Sequence, residues 1–162
     1  MQYKRYNKGF TLVEVLIAVI LVGLAVTALL TASGSFTMAN GAGADLSTAE
    51  FLAEQIRELT ALLPVVDPQS ETDVFGPEEG GLSDYDDLDD FDGASFSPPI
   101  SAGRAVLNNF AAFTQQVVVE NVSAGNFEQV VGDHTSPFVR VTVRVFLNGS
   151  EISSAGWVRA LY

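Results

Sequence analysis

The sequence predicts an α+β chain: a long N-terminal helix, made of an apolar anchor and an amphipathic stem, packed on a small C-terminal antiparallel β-meander. Three observations predict it. Residues Phe10–Leu30 form one apolar block, polar only at Thr11, Glu14 and Thr27. Leu46, Ala49, Leu52, Ala53, Ile56, Leu59, Leu62 and Leu63 recur at helical spacing, the signature of a helix with one buried face. Valines 139, 141, 143 and 145 alternate with Arg140, Thr142 and Arg144 before an Asn148-Gly149 pair, as in a half-buried strand entering a tight hairpin.

Charge and composition narrow the chemistry. Of 162 residues, 20 are acidic and 8 basic. Lys4, Arg5 and Lys8 lie in the first nine positions, so from Phe10 onward all 20 acids face only five arginines. Such a surface repels phosphate, and direct nucleic-acid binding is disfavoured. With no cysteine, disulfides, thiolate nucleophiles and cysteine-ligated zinc are excluded. No lysine follows Lys8, which removes P-loop, Schiff-base and Ser-Lys chemistry from the rest of the chain.

The elements follow in order. Residues 1–9 are a short polar, basic segment, and residues 10–33 are apolar over a length that crosses a bilayer, about 20 residues. The basic flank predicts a cytoplasmic N-terminus with the C-terminal bulk outside. A secretory signal cut near Ala32-Ser33-Gly34 is the competing reading of the same block. Glu14 is the odd residue, because a carboxylate within an apolar span costs up to about 2.5–3.5 kcal/mol at the membrane centre and calls for a partner.

Lys8-Gly9-Phe10-Thr11-Leu12-Val13-Glu14 resembles the leader junction of type IV prepilins and of type II secretion and competence pseudopilins: a basic leader ending in Gly, then Phe, then Glu at the fifth position beyond the cut. The resemblance implies that a prepilin peptidase cleaves between Gly9 and Phe10 and methylates the new N-terminal Phe10. The apolar helix then stays as membrane anchor and filament core. It further implies that Glu14 sets axial register by pairing with the N-terminal amine of a neighbouring subunit. The implied partners are the peptidase, other pilin or pseudopilin subunits and an inner-membrane assembly platform. The implied location is a single-pass inner-membrane protein with a periplasmic head, later part of a pilus or pseudopilus.

Residues 34–63 are the stem. Gly34, Gly41 and Gly43 make its start a weak point, since each glycine costs about 1 kcal/mol relative to alanine. A break there, with Asp45 capping a renewed helix, is expected. Pro64 and Pro68 end the helical pattern. Residues 64–104 are an acidic loop, holding ten of the acids between Glu71 and Asp92. Residues 105–162 are the sheet, with strands over Phe113–Val122, Phe138–Leu147 and Ile152–Leu161, the last broken near Ala155-Gly156. A long helix with a C-terminal meander is also the pilin pattern.

The acidic loop carries the one metal-ligand candidate. Asp84, Asp86, Asp87, Asp89, Asp90 and Asp92 offer the oxygen ligands calcium takes, without EF-hand spacing, since Leu88 stands where its first Asp would. The run is either a calcium site or a solvated acidic loop. Without an ion its carboxylates repel and the loop is expected to be mobile, although Leu88 and Phe91 can dock it on the sheet. Asp86-Asp87-Leu88-Asp89-Asp90-Phe91 also resembles the middle loop of minor prepilins of the mannose-sensitive haemagglutinin pilus type. Asp133, His134 and Ser136 lie too close in sequence to build a triad and lack a strand-turn-helix nucleophile context; His134 is expected to be an exposed loop residue. Trp157 and Tyr162 read as core. The expected function is that of a minor pilin or pseudopilin that primes, caps or extends a filament, not an enzyme. The rivals are a calcium-dependent adhesin or binding module on a prepilin-like anchor and an uncleaved bitopic envelope protein.

Overall fold

The computed structural model describes residues 9–65, 75–77 and 80–160; the basic leader as far as Lys8, Pro68, Leu161 and Tyr162 lie outside them. One helix, α1, spans Leu12–Thr60. Strands β1 (Ser95–Phe96), β2 (Phe113–Ser123), β3 (Asn126–Val130), β4 (Phe138–Leu147) and β5 (Ser150–Ala160) form an antiparallel sheet in the order β1-β2-β4-β5, with β3 also paired to β2. The chain divides into two units, the first ending at Gly43 and the second beginning at Ala44.

In the first unit the helix is apolar on all sides. It is long and apolar enough to cross a membrane, with a mean hydropathy of 2.8 over its best window and none of that window buried within the chain. Leu12, Val19, Leu24, Leu29 and Phe36 are all exposed. The expected break does not occur, because α1 runs through Gly34, Gly41 and Gly43, and Asp45 sits inside it rather than at a cap. Two new helix ends would open four carbonyls on one side of the break and four amides on the other. Extending a helix already formed on both sides keeps those bonds and fixes only three flexible glycines.

The second unit holds the core. Ala49, Leu52, Ala53 and Ile56 are buried on one face of α1 and cluster with Val117, Val119, Val139, Val141, Val143 and Val145 of the sheet. The expected β4 alternation therefore holds, and burying each such valine or leucine stabilises by roughly 1.5–3 kcal/mol. Polar groups fasten the two layers. Gln115, wholly buried, donates from Nε2 to the carbonyls of Leu52 (2.8 Å) and Ile100 (3.2 Å), and its Oε1 accepts from the Ile100 amide (2.8 Å). Arg159 donates to the carbonyls of Thr60 (2.8 Å) and Leu63 (2.9 Å), closing the C-terminal end of α1 with a charge of the favoured sign. An arginine stands on the same face as half-buried Trp157 for this reason. The Arg57 guanidinium lies 5.7 Å over the Trp157 ring.

Asn148 and Gly149 have φ of 50° and 83°, the paired positive values a type I′ hairpin needs. Strand β5 is continuous through Ala155 and Gly156, which pair with Val143 and Thr142. The irregularity lies instead at Ile152, between the pairs Ser153↔Val145 and Glu151↔Phe146. A glycine within a ladder keeps its backbone bonds, so it weakens the strand without interrupting it.

Candidate functional site

The N-terminal site begins with Gly9 and Phe10, both exposed ahead of the helix. Thr11 and Glu14 form a reciprocal cap. The Thr11 hydroxyl oxygen accepts from the Glu14 amide at 3.2 Å, while Glu14 Oε2 accepts from the Thr11 amide and hydroxyl, each at 3.1 Å. This is a capping box, two orphan donors of the first turn satisfied by two side chains. Its signal is present in the sequence as Thr-Leu-Val-Glu, and reading Glu14 only as an intermolecular charge overlooks it. The cap also holds a negative charge at the positive end of the helix dipole. Lys8, the last leader residue before Gly9, lies outside the described residues.

Among the described residues of the acidic segment, residues 84–92 form a folded turn and not a solvated loop. Leu88 and Phe91 are wholly buried in the core, the Leu88 amide donates to the Pro64 carbonyl at 3.0 Å, and Phe91 packs edge-on against Tyr85 and Phe96. Leu88, the position that breaks EF-hand spacing, is therefore one of the two that dock the turn. A short 3-10 helix over Asp89–Phe91 turns the intervening carboxylates inward, so that Asp87, Asp89 and Asp90 are at most 2% exposed.

The six aspartates part into separate roles. Asp86, Asp87 and Asp90 converge, each offering a carboxylate oxygen within 4.8 Å of the others. Asp90 Oδ2 accepts from the amides of Asp86 (2.9 Å) and Asp87 (3.3 Å), and the Asp90 amide donates back to Asp87 Oδ1 (3.1 Å). Asp89 Oδ2 accepts from the Gly76 amide at 3.3 Å. Asp92 leaves the cluster, taking the Val119 amide of β2 at 2.8 Å, a donor that short strand β1 does not reach. Asp84 points outward and accepts from Ser83. Burial pushes Asp87 up to about 8, with its hydrogen bond to Asp89 adding to the effect. Burial also raises Asp89, partly offset by its bonds to Asp87 and Gly76.

Arg104, at φ 63°, donates to the carbonyls of Leu82, Ser83 and Tyr85. It folds the loop backbone over the turn. Sequence reasoning missed this residue, since nothing local marks an arginine that serves carbonyls about twenty positions earlier.

The remaining candidates do not assemble. His134 is half-buried with its ring 5.8 Å from Phe75, edge to face. Asp133 is exposed, and the Ser136 hydroxyl accepts from the Phe138 amide at 3.3 Å. On the outer face of the sheet Arg140 bridges Glu120 (2.7 Å) and Glu128 (3.3 Å), tying β3 to β4 across β2.

No curated protein and no solved structure matches this chain. Residues 4–30 match the family model of the prokaryotic N-terminal methylation motif. That match spans Gly9, Phe10, the Thr11–Glu14 cap and most of the apolar helix, and it supports a type IV prepilin-like protein with a membrane-anchoring N-terminal helix.

Proposed function

We propose that this chain is a minor pilin or pseudopilin subunit of a type IV pilus or type II secretion filament, with a mechanical rather than a catalytic role. Prepilin peptidase removes residues 1–9, Phe10 is methylated, and the helix joins those of neighbouring subunits while the head stays on the outer side of the inner membrane. The observation that carries this reading is the methylation-motif match over residues 4–30, on a helix whose apolar surface faces all directions. A side chain such as Leu24 or Phe36 gains nothing from water, and either lipid or a bundle of like helices covers it.

The capping box supports a two-stage use of Glu14. In the single subunit, Thr11 satisfies the carboxylate and lowers the cost of holding it at the membrane. On assembly, the cationic amine of a neighbour's Phe10 is the stronger partner, because opposite charges in apolar surroundings attract with little screening. The mannose-sensitive haemagglutinin-type likeness of the Asp86–Phe91 run favours a minor subunit.

The deciding experiment is the intact mass and N-terminal sequence of the protein, expressed with and without a prepilin peptidase. Peptidase-dependent loss of residues 1–9 with a methyl on Phe10 supports the proposal. An unprocessed chain beside an active peptidase refutes it and leaves an ordinary anchor. A cut beyond Ala32 refutes it in favour of a secreted protein.

A further inference from the structure

The geometry points to a calcium site on the turn Asp86–Asp90, built from the carboxylates of Asp86, Asp87 and Asp90. The first observation is convergence: one oxygen from each lies within 4.8 Å of the others. Carboxylate oxygens are the ligands that calcium takes, six to eight of them at about 2.3–2.6 Å in a flexible geometry.

The second observation is an orphan. Asp90 is 1% exposed, and its Oδ1 is buried with no hydrogen-bond partner among the described residues. The amides of Asp86 and Asp87 hold Asp90 Oδ2, which fixes the carboxylate and leaves Oδ1 over. A buried anionic oxygen without a donor is costly, and in native structures such a group calls for an ion or another explanation. The arginine that reaches this loop does not neutralise Asp87 or Asp90, because Arg104 spends its guanidinium on the carbonyls of Leu82, Ser83 and Tyr85.

The burial pattern gives the site a floor and a lip. Asp87 and Asp90 are buried and Asp86 is exposed, so an ion enters from the Asp86 side and keeps water on its open positions. The ligands flank Leu88, and Phe91 follows at once, so the ion locks the turn that supplies both side chains to the core. Calcium thereby becomes a condition for full rigidity of the head.

The test uses the full-length chain in detergent micelles, stripped of divalent ions by a chelator, with unfolding followed by Trp157 fluorescence during a calcium chloride titration. A saturable upward shift of the unfolding midpoint is expected. Asp86→Asn, on the exposed lip, raises the half-saturating calcium concentration about tenfold or more. Asp90→Asn retains an acceptor for the two amides and removes the buried charge, so its calcium-free midpoint is equal or higher while the calcium shift is lost. No shift up to roughly 10 mM calcium, or an undiminished shift in both variants, overturns the proposal. If Asp90→Asn does not fold, the Asp86→Asn comparison decides alone.

Discussion

Gln115→Leu tests whether polar groups, and not apolar burial alone, hold the head on its helix. Gln115 is wholly buried and joins three segments: the α1 carbonyl of Leu52, both backbone groups of Ile100, and its own strand β2. Leucine fills much of the same space but leaves the Ile100 amide buried without an acceptor, at about 1–3 kcal/mol, and removes two bonds worth about 0.5–1.5 kcal/mol each. Added apolar burial returns part of this, so the net loss is about 2–4 kcal/mol. Urea unfolding of the full-length protein in micelles, read by Trp157 fluorescence, measures it as a lower midpoint with an unchanged slope. Gln115→Glu is the internal control, since its second oxygen faces two carbonyls unless protonated and its stability improves as pH falls. A loss below about 0.5 kcal/mol for Gln115→Leu refutes the reasoning, because the amide of Ile100 would then have found another partner.

Three further outcomes follow from the same structure. In chelator, the head loses stability as pH rises. Asp87 keeps its proton when folded up to about 8 and releases it near 3.8 when unfolded, so the contribution is complete below the lower value and gone above the higher; Asp87→Asn flattens the curve, and stability rising over that window contradicts the assignment. Arg159→Met uncaps the Thr60 and Leu63 carbonyls and lowers stability by about 2–3 kcal/mol in the same urea assay, with Arg159→Lys restoring only part because a point charge cannot fork across two carbonyls. Glu14→Ala impairs incorporation into filaments, scored by immunoblot of sheared filaments, while membrane fractionation shows insertion intact; normal incorporation removes the case for charge pairing.

Much of the fold is written in local patterns. The valine alternation of β4 and the Asn148-Gly149 turn are short-range signals, read directly and matched by the burial and the positive φ values. The stem stripe is equally local, as Ala49, Leu52, Ala53 and Ile56 show. The errors are of two kinds. Residue by residue, Gly34, Gly41 and Gly43 predict a break, but a helix is broken only when the ends it creates cost less than the glycines do. The acidic turn was weighed by composition, which says that six aspartates belong in water. Leu88 and Phe91, interleaved among them, mark the docking in the sequence; what stays hidden is that they draw Asp87, Asp89 and Asp90 into the core behind them. Arg104 and Gln115 were illegible for a third reason, since their partners lie far along the chain and become neighbours only in the fold.

Glu14 and Asp90 answer the same physical problem in opposite ways. Each is a carboxylate placed where charge is costly, and each is held by backbone amides three or four residues away. Glu14 lies at an exposed helix end, and its cap consists of one threonine that a single rotamer change releases. A carboxylate held that loosely suits a group that changes partner during assembly. Asp90 is buried between core residues, with one oxygen bound and the other without a partner among the described residues. That buried oxygen is the one the proposed cation would stabilise. The chain thus carries a labile carboxylate on the segment that matches the methylation motif and an immobile one in its head.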